Sequence, residues 1–312
     1  MNPMPDIRRL VIEAGAVRAG VVTLGPVDAH AEELYREWLA GGRHGEMSYL
    51  EKYAEVRHDP RLLLEGARSM IVAAFNYYGG EPEMSQPLKW ARYAVGRDYH
   101  EEVRERLGRV AEAITAVTGA QCRVTVDTAP LRERYWAVKA GVGFLGINNQ
   151  LIVPGAGSWC VLGEIITTLE LEPDEPDTRD CLGCMRCVKA CPGHALDGHG
   201  GMDARRCMSY LSIEKKYHEY DEAMMPRLGD RIYGCDICQE VCPHNSCARA
   251  TEIENFRPRP SVTGLTRADI LGMEQSEFSR IFTHSAIKRA KLAGLQRNAR
   301  AAGEGEAATR PE

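Results

Sequence analysis

No apolar run in this sequence approaches the length of a bilayer-spanning helix, so a helical membrane protein is not expected. Its first residues, MNPMPDIRRLVIEAGAV, place acids within an amphipathic pattern and form neither a secretory nor a twin-arginine leader. A cytoplasmic location with no membrane partner follows as the expectation. An excess of one charge is missing too: 39 Lys and Arg stand against 44 Asp and Glu, a net charge of −5. The whole molecule is therefore no polyelectrolyte magnet, and any nucleic-acid contact must come from a local patch. No Gly-x-Gly-x-x-Gly string opens a helix after a strand. Gly141-Val-Gly-Phe-Leu-Gly146 has the spacing but follows an expected helix, so its glycines read as a tight turn rather than a dinucleotide site. What remains is a 312-residue chain, 44% hydrophobic and 27% charged, suited to one large or two modest globular domains.

Cysteine, in contrast, is plentiful, and eight of the 11 fall into two clusters. The first run is Cys181-x2-Cys184-x2-Cys187-x3-Cys191-Pro192; the second is Cys235-x2-Cys238-x3-Cys242-Pro243, with Cys207 between them. A bacterial ferredoxin run gives three thiolates to one 4Fe–4S cluster and sends the fourth to the other. Crossing the ligands in that way assigns Cys181, Cys184, Cys187 and Cys242 to one cluster. Cys191, Cys207, Cys235 and Cys238 then hold the second, and no ligand is missing. Structural zinc also uses Cys-x2-Cys pairs, but two well-separated pairs or added histidines are its usual pattern. A disulfide framework suits neither the length nor the N-terminus. Cys122 and Cys160 lie in apolar stretches as small hydrophobes, and Cys247 is a spare thiol.

The first part of the chain alternates helix and strand. Helical spacing covers 5–17, 30–41, 45–53, 99–117 and 130–140. Strand-like runs cover 19–24, 69–77, 121–126, 151–153 and 159–169. This argues for a layered α/β domain with a largely buried sheet. The acidic, proline-bearing Leu171-Glu-Pro-Asp-Glu-Pro-Asp177 is the best boundary. The expected division is a catalytic domain over 1–172, a ferredoxin-like module over 173–250, a short helical basic segment over 251–300 and a disordered tail over 301–312. Within the last helical segment, Ser285 to Arg297 reads as one basic helix. Two clusters in one small module form a short electron wire, whose terminus should lie in the larger domain.

Asp127 has two readings. It ends a strand just before a helix, in Val126-Asp127-Thr128-Ala129-Pro130, where an N-cap or turn aspartate is common. It is also a carboxyl at the mouth of a sheet, where α/β folds bind ligands. Raised in pKa by burial, it could deliver a proton.

Several strings together resemble the epoxyqueuosine reductase family. They are His58-Asp-Pro-Arg-Leu-Leu-Leu64, Gly96-Arg-Asp-Tyr-His100, Val126-Asp-Thr-Ala-Pro130, Gly157-Ser-Trp159 and Leu162-Gly-Glu164. The cysteine runs, Asp203-Ala-Arg-Arg-Cys-Met-Ser-Tyr-Leu-Ser-Ile-Glu214, Phe256-Arg-Pro-Arg-Pro260 and the Ser285–Arg297 stretch complete the series. The resemblance implies an enzyme that reduces the epoxide of epoxyqueuosine at the tRNA wobble position, the last step of queuosine synthesis. It implies two 4Fe–4S clusters and base-off cobalamin, on an α/β (α+β) catalytic domain of the reductive-dehalogenase and nitroreductase type. It makes Asp127 the proton donor. By position in those strings, Arg57, Tyr99, Asp127, Ser158, Trp159, Leu162 and Ser209 would line the corrin. The expected partners are a tRNA anticodon stem-loop carrying epoxyqueuosine and an external low-potential electron donor, with the protein a monomer. Lys215, Lys216, Arg257, Arg259, Lys288, Arg289 and Lys291 could form a phosphate-binding face. An aromatic lining for a splayed wobble base is also expected.

The chain departs from that family in two ways. Many members read Gly-Lys-Asn where this sequence has Gly146-Ile147-Asn148-Asn149, and many continue into a helical-repeat domain. Both departures bear on substrate more than on cofactor. Two other functions stay open at this level: a related cobalamin and iron–sulfur reductase with another substrate, and a non-catalytic electron-transfer or corrinoid-activating protein.

Overall fold

Every residue of Ser69–Asn76 is buried, and the sheet is organised around that strand. In the computed structural model of the chain, residues 6–80, 88–216 and 223–302 are described. Among them the strands are β1 (Arg18–Thr23), β2 (Ser69–Asn76), β3 (Lys89–Trp90), β4 (Cys122–Thr125), β5 (Phe144–Leu145), β6 (Leu151–Ile152), β7 (Cys160–Thr167) and β8 (Arg231–Tyr233). The helices of the first half are α1 (Ile7–Glu13), α2 (Ala29–Ala40), α3 (Ala54–His58), α4 (Tyr99–Thr118) and α5 (Glu133–Lys139). Those of the second half are α6 (Arg186–Ala190), α7 (Met208–Ile213), α8 (Ile237–Glu240), α9 (Pro260–Thr263), α10 (Arg267–Gly272), α11 (Gln275–Ile281) and α12 (Lys291–Ala301).

The main sheet has the order β1-β2-β7-β4, and each neighbouring pair is antiparallel. The layered sheet is thus of the α+β kind, and the ligand rule for parallel sheets does not apply to it. Side chains alternate across it as a pleated strand requires. Ile71, Ala73 and Phe75 enter the core shared with α1 and α4, while Met70, Val72 and Ala74 enter the core shared with α5. Burying a side chain such as Phe75 contributes roughly 1.5–3 kcal/mol. Two glycines let helices approach closely. A Cβ on Gly163 would lie 2.5 Å from Val103 of α4, and one on Gly20 would collide with the Ala140 carbonyl that ends α5.

Three sequence expectations are corrected. The helical pattern over 45–53 becomes a single 3-10 turn at Ser48–Leu50, because Gly42 and Gly45 take positive φ ahead of it. The Ser285–Arg297 helix is two pieces: a 3-10 turn over Ala286–Ala290, then α12. No glycine or proline marks that break. Ser285 caps Ile287, and the Tyr233 hydroxyl donates to the Ala286 carbonyl (2.7 Å). The tail does not begin at Ala301, since Ala301 and Ala302 are both buried; residues 303–312 lie outside the described residues.

The later segments are packed into the rest of the chain. Leu171 enters the α4-side core, and Asp174 pairs with Val21 on the free edge of β1 through both backbone and carboxylate. Ile253 and Phe256 join that same core. The helices from α10 onward enclose Phe278, Phe282 and Leu295 with Trp90 and Ile232, over the parallel pair β3–β8. Buried Arg297 and Asn298 hold α12 in place by donating to the carbonyls of Leu211 (2.5 Å), Ser212 (2.8 Å) and Ile232 (2.8 Å).

Candidate functional site

β4 leads through buried Val126 into Asp127, whose φ of +51° is left-handed. For a residue with a side chain that conformation costs about 1 kcal/mol, so other contacts must hold it. The Asp127 N–H donates to Oε1 of Glu133, the first residue of α5 (2.5 Å). Its carboxylate Oδ2 lies 3.0 Å from His100 Nε2, and His100 Nδ1 lies 2.6 Å from Asp98 Oδ1. Asp98 is also the N-cap of α4, so the start of that helix aims Asp98, Tyr99 and His100 at the loop together. The Tyr99 hydroxyl bonds Asp127, and its ring stacks on His100 with centroids 4.0 Å apart. The Asp127 side chain remains 55% exposed while protein crowds it, which describes a cleft.

The charges in this cleft correct the sequence expectation for Asp127. Burial would depress His100, but its hydrogen bonds to Asp127 and Asp98 outweigh that and push it up to about 9. Burial would raise Asp127, yet His100, the Tyr99 hydroxyl and the Arg289 guanidinium hold its carboxyl below the usual range. At neutral pH the shared proton therefore rests on His100. The group kept protonated by burial is Glu133, pushed up to about 8 by desolvation and then by the Asp127 charge. Glu164, on β7, is driven well above its ordinary value by burial and the Glu133 charge. It shares the β7 face of Leu162 and Ile166, the face that α5 covers, and its Oε2 accepts from Thr125 Oγ1 (2.8 Å).

The residues expected to line a corrin separate into two groups. Tyr99 and Asp127 meet directly. Arg57 is buried and donates to the Tyr49 carbonyl (3.3 Å), with its Nε buried and unpartnered. Tyr49 in turn interacts with Asp127, and the Arg289 guanidinium sits 5.2 Å from its ring centre. Ser209 is half-buried on α7, where neighbouring Tyr210 accepts from the Glu46 N–H through its hydroxyl (2.8 Å). The other three are enclosed. Ser158 donates to Gln239 Oε1 (3.0 Å) and accepts from Asn245 Nδ2 (2.9 Å), so its hydroxyl joins the sheet to the cysteine module. Trp159 packs against Tyr77 and Tyr78, and Leu162 lies in the α5-side core.

The thiols influence one another electrostatically in two sets. Cys242 feels the charges of Cys184 and Cys181, and Cys187 those of Cys242 and Cys184. Cys238 feels Cys235, Cys207 and Cys191. Among the described residues, no three His, Cys, Asp or Glu side chains lie close enough to share one metal ion. Backbone N–H groups point at the sulfurs: Ala195 at Cys191 (3.3 Å), Ser209 and Tyr210 at Cys207, Ile237 at Cys235, His244 and Asn245 at Cys242. Cys184 is exposed, Cys187 is buried and Cys238 is half-buried. Cys122 and Cys160 are half-buried in strands, and Cys247 is exposed. Asn148 and Asn149, beside Ile147, donate to the carbonyls of Cys238 (3.2 Å) and Gly200 (2.6 Å), tying that loop to the module.

The basic residues do not form one free face. Lys215 pairs with Glu46, Arg257 with Glu254, and Arg289 with Glu214. Half-buried Arg259 donates to the Thr283 carbonyl (3.2 Å), while Lys216, Lys288 and Lys291 are exposed. Arg289 alone of these is shown acting on Asp127. His100, Glu133 and Tyr49 belong to the site, yet sequence reasoning gave them no role. The signal for His100 was its place two residues after a helix-capping aspartate.

Known proteins resemble this chain along most of its length. The family model described as Epoxyqueuosine reductase QueG, DUF1730 matches residues 57–128, and that for a 4Fe-4S double cluster binding domain matches 180–245. A solved epoxyqueuosine reductase with an epoxyqueuosine-modified tRNA-Tyr stem loop superposes with a TM-score of 0.86 at 29% identity, covering 95% of this chain and 80% of that one. A Bacillus subtilis epoxyqueuosine reductase, described with its catalytic loop swung out of the active site, gives 0.84 at 28% identity, covering 95% and 80%. The epoxyqueuosine reductase of Cellulophaga algicola is 36% identical over 293 residues, 92% of this chain and 95% of that one. At that identity over nearly the whole of both chains, this chain belongs to the epoxyqueuosine reductase family.

Proposed function

We propose that the protein reduces epoxyqueuosine to queuosine at the wobble position of a tRNA anticodon stem-loop. The observation that carries this reading is the Asp98–His100–Asp127 array, open to solvent at Asp127, in one chain with two sets of four cysteines. The reaction removes an epoxide oxygen. Both C–O bonds break, an alkene forms, and two electrons and two protons turn the oxygen into water. The chain's residues match the proton side of that balance. His100 carries a proton at neutral pH, and Asp127, hydrogen-bonded to it, is the open carboxylate that can pass it to the departing oxygen.

For the electron side, the two thiol quartets suit two 4Fe–4S clusters, and the N–H groups at their sulfurs would stabilise the charge of bound clusters. Cys181, Cys184, Cys187 and Cys242 would form the entry for an external low-potential donor, since Cys184 is exposed. Base-off cobalamin would occupy the cleft against Asp127, Tyr99 and Arg57, whose unpartnered buried Nε awaits an acceptor. When bound, that group would supply the reducing electrons for the epoxide carbons. Tyr49, 41% exposed, offers a stacking surface for a splayed base. The Asp127 loop would be the counterpart of the catalytic loop that swings in the Bacillus subtilis protein. No described helix is long and apolar enough to cross a membrane, and the reading takes the protein as a cytoplasmic monomer.

The test is anaerobic reconstitution with iron, sulfide and cobalamin, followed by reduction and mass spectrometry of an epoxyqueuosine-containing stem-loop. Loss of one oxygen mass at the wobble nucleoside supports the function and shows Ile147 to be a tolerated variation. No conversion at full cofactor occupancy would turn the reading to a relative with another substrate.

A further inference from the structure

Glu133 belongs to none of the strings that identify the family, yet it receives the backbone N–H of Asp127. Four residues, Asp127 to Pro130, bridge from Val126, buried at the end of β4, to Leu131, buried in the α5-side core. Their other backbone hydrogen bonds are local. Thr128 donates to the Val126 carbonyl (2.5 Å) and Leu131 to the Ala129 carbonyl (2.7 Å). Bonds of that reach fix the shape of a turn but not its place on the protein.

Two kinds of contact fix its place. The Asp127 carboxylate touches His100 and Tyr99, and proton transfer at that carboxylate must disturb both. The Asp127 N–H bond to Glu133 has no part in the proton transfer and can persist through it. Glu133 is itself well held, because α5 is anchored to the sheet through Trp136, Ala137 and Ala140. Glu164 lies on the sheet face beneath α5, one oxygen bonded to Thr125 and the other, Oε1, buried without a partner. The left-handed backbone at Asp127 would relax if the turn came loose, so something must oppose its release.

We infer that Glu133 is a positioning residue, a latch whose carboxyl oxygen holds the Asp127 N–H and keeps the turn closed on His100. The inference rests on Asp127 being the proton-handling residue of the proposed reaction. A protonated carboxyl accepts through its carbonyl oxygen as an amide does, and Glu133, pushed up to about 8, is largely protonated at neutral pH. Gln can therefore replace it, whereas Ala cannot.

The experiment compares wild type, Glu133→Gln and Glu133→Ala as the full chain reconstituted with iron, sulfide and cobalamin. Backbone amide exchange by mass spectrometry is read over 123–133 and elsewhere, together with kcat and KM on the modified stem-loop. In Glu133→Ala, exchange over the 127–131 turn should rise about tenfold while α4 and the cysteine module stay unchanged. Its kcat should fall about tenfold with KM unmoved, and Glu133→Gln should restore both. Should the alanine variant not fold, Glu133→Met takes its place, keeping bulk without a strong acceptor. Unchanged exchange at the turn, or a glutamine variant as impaired as alanine, overturns the latch. If wild type shows no turnover, the proposed function has failed, and the exchange comparison still decides the latch.

Discussion

The cysteine module and the Asp127 cleft are built on opposite plans. In the module, seven of the eight thiols come from two short runs, and local turns aim backbone N–H groups at their sulfurs. In the cleft, each group comes from a different stretch: Tyr49, then Asp98 to His100, then Asp127 and Glu133, then Arg289. The module gathers one residue type whose chemistry barely depends on its neighbours. The cleft gathers ordinary acids and one histidine whose protonation depends on those neighbours. Electron transfer needs ligands at fixed spacing, whereas proton transfer needs charges set against one another.

Three changes would sharpen or break that contrast. The largest effect belongs to the module. Cys238→Ser should lose about half of the bound iron, by iron assay, and all turnover, because a cluster lacking a thiolate has no local substitute. An unchanged iron content would dissolve the quartet assignment. A smaller and graded effect belongs to the cleft. His100 is cationic below about pH 9 and loses its proton as pH rises through that value, so single-turnover rate should be flat below 9 and fall above it. In His100→Gln that alkaline limb should vanish and the rate drop about a hundredfold, within the range of a general acid. A pH profile identical to wild type would detach His100 from the chemistry. The smallest effect concerns the rim. Arg289→Gln should weaken stem-loop binding a few-fold and reduce the salt dependence by about one phosphate contact, while iron content stays the same. Salt dependence equal to that of wild type would leave Arg289 as only the partner of Glu214.

That contrast also explains what could be read from the sequence. Cys181 to Cys191 and Cys235 to Cys242 were legible because spacing along the chain sets spacing in space. Strands β2 and β7 were legible because both are apolar along nearly their whole length. The antiparallel pairing was not, since burial fixes which face a residue takes but not the direction of its neighbour. The protonation of Asp127 was misread for a related reason. Burial alone raises a carboxyl, and the histidine that reverses this lies 27 residues away. The ion pairs of Lys215 and Arg289 were not legible, because their partners, Glu46 and Glu214, are distant in sequence. Ser158, Trp159 and Leu162 were placed by family strings, and the fold uses them to join its layers.

The most direct test takes Asp127→Asn, reconstituted and reduced alongside wild type, and follows cobalamin reduction by absorbance and the wobble nucleoside by mass spectrometry. Reduction should proceed as in wild type while conversion falls by about 10²–10⁴-fold, separating the proton step from the electron path. Conversion at the wild-type rate would contradict the account and leave the chain as an electron carrier whose chemistry lies elsewhere.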